Sequence, residues 1–134
     1  MNVNKQNLKR LAKIIDLDAI REHRFDSAVS KVNGFMDLHY DYLYGSDVTA
    51  TIALHHSYRM NGDSVSDPDM EFRVHFERKT VRALTFQDSF GYQDVERPNG
   101  AIDGALQRKL DRFAAQWLKN LADQGHRLDG NERV

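Results

Sequence analysis

The chain has 134 residues, 19 basic and 20 acidic, for a net charge of −1, and it contains no cysteine. Disulfides, thiolate metal sites and thiol catalysis are therefore excluded, and a near-neutral chain is a poor match for strong phosphate-backbone binding. No stretch approaches the roughly eighteen consecutive apolar residues of a membrane helix, and Met1-Asn2-Val3-Asn4-Lys5 lacks the apolar core of a secretory signal, so a cytoplasmic protein is expected.

Residues 5–15 read as a short helix, with Leu8, Leu11 and Ile15 on one face and Lys5, Lys9 and Lys13 on another. Residues 16–34 show no clear period, and Asn33-Gly34 punctuates the chain. From Phe35 the period becomes two. Met36, Leu38, Tyr40, Tyr42 and Tyr44 point inward, and Asp37, His39 and Asp41 outward, before a turn at Gly45-Ser46-Asp47. A second strand alternates Val48, Ala50, Ile52, Leu54, His56 and Tyr58 against Thr49, Thr51, His55, Ser57 and Arg59. Turn-forming residues from Asn61-Gly62-Asp63 to Asp67-Pro68-Asp69 predict a loop over 60–69.

A third strand follows with Met70, Phe72, Val74 and Phe76 inward and Glu71, Arg73, His75 and Glu77 outward. A fourth strand contains Leu84 and Phe86, with Val81 out of phase, and Tyr92–Val95 has the character of a short fifth. Over 104–124, Leu106, Leu110, Phe113, Trp117 and Leu121 recur at helical spacing, with Asp103 placed to cap the start and Gly125 the end. The expected fold is one α+β domain over 1–134. It is a four- to five-stranded antiparallel meander over 35–95 packed on the long C-terminal helix, with a short N-terminal helix.

Two places could hold chemistry. If the first hairpin turns about Ser46 and the second about Val65, Asp37, His55 and His75 form one row on the wet face, with His39 diagonal to it. Two imidazoles and a carboxylate suit zinc or iron. Exposed histidines on a polar strand face are the ordinary alternative, and no cofactor is expected. In a simple meander the 60–69 loop and the segment after residue 87 also share one end of the sheet. That end gathers Asp63, Asp67, Asp69, Asp88, Phe90, Tyr92, Asp94, Glu96 and Arg97, an acidic and aromatic rim suited to a basic protein surface. Plain turn chemistry accounts for Asn61-Gly62 and Asp67-Pro68 taken singly, and the calcium-loop spacing is not met. Nucleophile-elbow, phosphate-loop and zinc-protease motifs are missing from the sequence. Nucleic-acid binding through Lys5, Lys9, Arg10 and Lys13 with the tyrosines is a third, weaker reading.

Five stretches carry a resemblance: Gly34-Phe35-Met36-Asp37-Leu38, His56-x-Tyr58-x-x-Asn61-Gly62-Asp63, Asp67-Pro68-Asp69-Met70-Glu71-Phe72, Gly91-Tyr92-Gln93-Asp94-Val95 and Trp117-Leu118-x-Asn120-Leu121. Together they resemble an uncharacterised bacterial domain-of-unknown-function family often carried on plasmids, prophages and other mobile elements. No activity, cofactor or site residue comes with the resemblance. It implies an accessory role for a mobile element, with interference in a host defence system as one form. The expectation is a small non-enzymatic module that docks on a protein partner, such as a host nucleic-acid-handling complex. A metal-dependent enzyme using Asp37, His55 and His75 is the alternative. Pairing of two copies through a sheet edge is left open.

Overall fold

A computed structural model of the chain describes residues 2–60 and 63–130, except for the side chains of 57–60 and 63–66. Helix α1 spans Val3–Ala12 and α2 spans Leu17–Arg21. Six strands follow: β1 Ser27–Ser30, β2 Leu38–Gly45, β3 Thr49–Met60, β4 Asp63–His75, β5 Thr80–Asp88 and β6 Gly91–Asp94. Helix α3, Gly104–Asp123, closes the order. The strands form one antiparallel sheet in sequence order, and the described helices include none long and apolar enough to cross a membrane. The fold is α+β as expected, with six strands rather than four or five. The extra one, β1, lies in the stretch without a readable period, because four residues are too few to display alternation.

Each helix begins where its sequence supplies a cap. Asn2 accepts from the Asn4 N–H at 2.7 Å, Asp16 from Asp18 at 2.9 Å and Asp103 from Leu106 at 3.1 Å. Helix α1 ends at Ala12, short of the expected Ile15, and Ile14 and Ile15 are buried in the turn that follows. Leu11, Ile20, Leu38, Tyr40, Ile52, Leu54, Met70, Phe72, Leu118 and Leu121 fill a core between the helices and one sheet face.

Bulges adjust the simple alternation. Between Tyr42 and Tyr44 the register slips against β3, so Tyr40 is buried, Tyr42 is half-buried, and Tyr44 is exposed. The expected inward stripe of tyrosines is thus broken. Met36, also expected inward, precedes β2 and is exposed. On β5, Glu71 pairs with Thr85 but Phe72 with Ala83, which leaves Leu84 as the extra residue. That bulge reconciles Val81 with Phe86, since both then face the core. On α3, Leu110, Ala114, Trp117, Leu118 and Leu121 are buried, whereas Phe113 sits at the margin, edge-on to Phe86 at 5.0 Å.

The largest correction concerns the 60–69 region. Met60 pairs with Asp63 and Ser57 with Ser66, so β3 and β4 run on where a loop was expected. Asn61-Gly62 itself lies outside the described residues. Asp67 and Pro68 together face the single residue His56, a bulge where a residue without an N–H is tolerated.

One buried polar cluster joins α1, β5 and α3. Asp111, on the buried face of α3, is 3% exposed. Its carboxylate accepts from the Ala83 backbone N–H at 2.9 Å, from Gln107 Nε2 at 3.2 Å and from Asn4 Nδ2 at 3.2 Å. Its carbonyl accepts from buried Asn7 at 3.0 Å, while Gln107 Nε2 also donates to the Ala83 carbonyl at 2.7 Å. A second buried pair lies near β1. His126 Nδ1 and the Arg127 N–H both hydrogen-bond Ser30 Oγ at 2.9 Å, and the His126 and His56 rings lie 6.1 Å apart.

Replacing Asp111 with Ala strands the buried Ala83 N–H and takes one acceptor from Asn4 and Gln107, and the expected loss is about 3 kcal/mol of unfolding free energy in a urea titration. Asp111→Asn, which keeps one acceptor oxygen, should lose less. Burial, then the neighbouring His56, lowers the pKa of His126. The unfolded chain therefore takes up that proton more readily, so this contribution is held above the unfolded pKa and lost as pH falls. Stability should decline from about pH 7 to pH 5, and His126→Gln should flatten that slope in paired thermal melts.

Candidate site on the uncovered sheet face

The helices cover one face of the sheet and leave the other to solvent. Strand pairing fixes which outward side chains share a row on that face. One row runs Val29, His39, His55, Asp69, Gln87 and Tyr92, and the next runs Ser27, Asp41, Ala53, Glu71, Thr85 and Asp94. Directly opposed side chains lie within contact range. His39 and His55 stack with centroids 4.9 Å apart and planes 10° from parallel. His55 Nε2 hydrogen-bonds Asp41 Oδ2 at 3.1 Å, while its Nδ1 is buried with no partner among the described residues.

The electrostatics follow from this crowding. Burial raises the pKa of Asp69, with Asp41 adding to the rise and His55 opposing it. Burial also raises Glu71, and Asp69 and Asp94 push it further. Tyr92 is raised by burial and then by Asp94 and Glu71, whereas His39 is lowered by burial and then by His55. Asp69, Glu71 and Tyr92 thus sit where burial and neighbouring carboxylates disfavour negative charge.

A model of the family described as Domain of unknown function (DUF6908) matches residues 9–127. The chain belongs to that family. No curated protein and no solved structure matches it. The DUF6908 match takes in both rows of the uncovered face and the whole of α3. It leaves the side chains themselves as the guide to chemistry.

The expected metal row does not assemble. His39, not Asp37, lies opposite His55, and Asp69, not His75, lies on its other side. His75 pairs with Thr49, six residues further along β4, about 20 Å away. Asp37 precedes β2 and lies 3.7 Å from Lys31 Nζ. Among the described residues no group of three or more His, Asp or Glu is placed to hold a metal ion.

The nine rim residues divide. Asp69, Tyr92 and Asp94 stay together on the uncovered face. Asp88 caps the β5–β6 turn, accepting from the Phe90 and Gly91 N–H groups at 2.8 and 3.2 Å, and Phe90 is exposed beside it. Glu96 lies near Arg73 and Arg82, and Arg97 pairs with Asp103 at 3.1 Å. Asp67 is exposed at the β4 bulge, and the Asp63 side chain lies outside the described residues. Asp41 and Glu71 join the cluster although neither was singled out as a site residue. Both were legible as outward positions; what was missing was the pairing that brings them together.

Raised carboxylate pKa values mean that this contribution to stability is present at low pH and lost as pH rises through the folded value. Asp69→Asn should therefore stabilise the isolated protein at neutral pH. The expected gain is about 0.5 kcal/mol after allowance for solvent screening, read from the denaturation midpoint.

Proposed function

We propose that the protein is a small non-enzymatic binding module whose uncovered sheet face docks on a basic protein surface. The observation that carries this reading is the grouping of Asp41, Asp69, Glu71 and Asp94 on one face, with burial and mutual repulsion raising the pKa of Asp69 and Glu71. A cationic side chain brought by a partner relieves that repulsion, and complementary charge also speeds encounter. Tyr92 is 57% exposed at the end of the first row, and Phe90 is 95% exposed at the adjoining turn. Both offer apolar area next to the carboxylates, the combination that binding surfaces favour. Residues that weaken the free protein and strengthen a complex are expected where function and stability compete.

The finer reading is an accessory protein of a mobile element that occupies a host nucleic-acid-handling complex. Acidic side chains on a rigid sheet suit the basic surfaces by which such machines hold phosphate.

Reversing Asp69, Glu71 and Asp94 to lysine together should abolish salt-sensitive capture of a basic partner from host lysate, while Arg97→Ala, on the far segment, should leave it intact. Equal capture by the wild type and the triple variant would refute the docking face.

A further inference from the structure

The uncovered face changes sign toward the β4–β5 turn. Arg73 and Arg82 stand directly opposite one another on β4 and β5, a juxtaposition that like charges disfavour. Both approach the same Glu96 oxygen, Arg73 Nη1 at 3.8 Å and Arg82 Nη2 at 3.9 Å, too far for hydrogen bonds. Their remaining contacts are neutral. Arg73 reaches Thr51 Oγ1 at 3.5 Å and Tyr44 Oη at 3.2 Å, and Arg82 donates to Gln107 Oε1 at 3.2 Å. Among the described residues one distant carboxylate thus answers two guanidinium groups.

The next outward-facing pair along the strands is His75 opposite Thr80. In the connecting turn the Arg78 backbone N–H donates to His75 Nδ1 at 3.2 Å. With Nδ1 accepting, the neutral ring carries its proton on Nε2 and retains a donor there. Arg73, His75, Arg78, Thr80 and Arg82 line a concavity of about 340 Å³, a size typical of small-molecule sites.

We propose that this concavity binds a phosphoryl-type oxyanion carried by a small molecule. Planar guanidinium forks match phosphate oxygens in pairs, and the imidazole N–H and threonine hydroxyl add single donors. Three guanidinium groups exceed what one carboxylate can neutralise, and Glu96 already offers one; a multiply charged group with three or more acceptor oxygens fits the surplus. The acidic rows begin at Glu71, the next outward position along β4 from Arg73. An extended polyanion lying along the face would meet those carboxylates, whereas a compact ligand avoids them. This site uses side chains distinct from those of the docking face, and either can fail without the other.

The test is calorimetric titration of the full chain with inorganic pyrophosphate, with amide NMR shifts to locate binding. Saturable binding is expected, with shifts centred on residues 73–82. Arg73→Gln or Arg82→Gln should each weaken it about tenfold. Glu96→Gln removes the competing carboxylate and should tighten it about threefold, an effect a purely structural Glu96 would not produce. Arg78→Gln lies outside the strand pairing, so it reports on the site even if a strand variant fails to fold, and it too should weaken binding. Absence of saturable binding, indifference to Arg78→Gln, or weaker binding by Glu96→Gln would each overturn the proposal. Tighter binding of a single-stranded oligonucleotide than of pyrophosphate through the same arginines would overturn the small-molecule assignment.

Discussion

The arrangement of layers turns on the buried carboxyl group of Asp111. Asp111 faces the sheet from α3, and hydrogen bonds from Ala83, Gln107 and Asn4 converge on its two oxygens. A polar side chain in a low-dielectric interior is tolerable only when its acceptors are satisfied. The three elements that supply those donors must therefore keep one relative position. Displacing α3 would break the bonds of Asp111 to Asn4 on α1 and to Ala83 on β5 together.

Because both long-range partners of α3 lie on one side, the opposite sheet face is left without a covering layer. Antiparallel sheets tolerate this when their outward residues are polar. Here the outward residues also sort by sign along the strands, carboxylates and histidines in two adjacent rows and arginines in the next. Among the described residues each group is only partly answered, the carboxylates by His55 and the arginines by Glu96. Glu71 is crowded by Asp69 and Asp94, and Arg73 and Arg82 share a carboxylate that neither reaches closely. Both halves of the face thus leave charge for an external group to balance, and they call for ligands of opposite sign.

Faces were readable from sequence more securely than positions along the strands. His55 was expected opposite Asp37 and His75 but pairs with His39 and Asp69, displacements of two and six residues. Both displacements are even, so the histidines and carboxylates of this face kept their predicted side of the sheet while their neighbours changed, whereas Tyr44, past the β2 bulge, and Met36, before β2, did not. The six-residue error came from assigning Asp63 through Asp69 to a loop on composition, when a bulge at Asp67-Pro68 lets that stretch continue the strand. Asp111 was not singled out from the sequence, although it lies three residues before Ala114 and seven before Leu118, both buried on α3. A lone carboxylate at such a position signals a buried polar contact.

From sequence alone follow the class of fold, the helix caps at Asp103 and Gly125, and the division between dry and wet side chains. These depend on local dihedral preference and on a two- or 3.6-residue period, which each segment carries within itself. Strand register, the bulges at Leu43 and Leu84, and the gathering of Asp41, Asp69, Glu71 and Asp94 were decided by tertiary structure. Pairing energies between strands are similar at several even offsets, and only the shared burial of the whole core selects one of them.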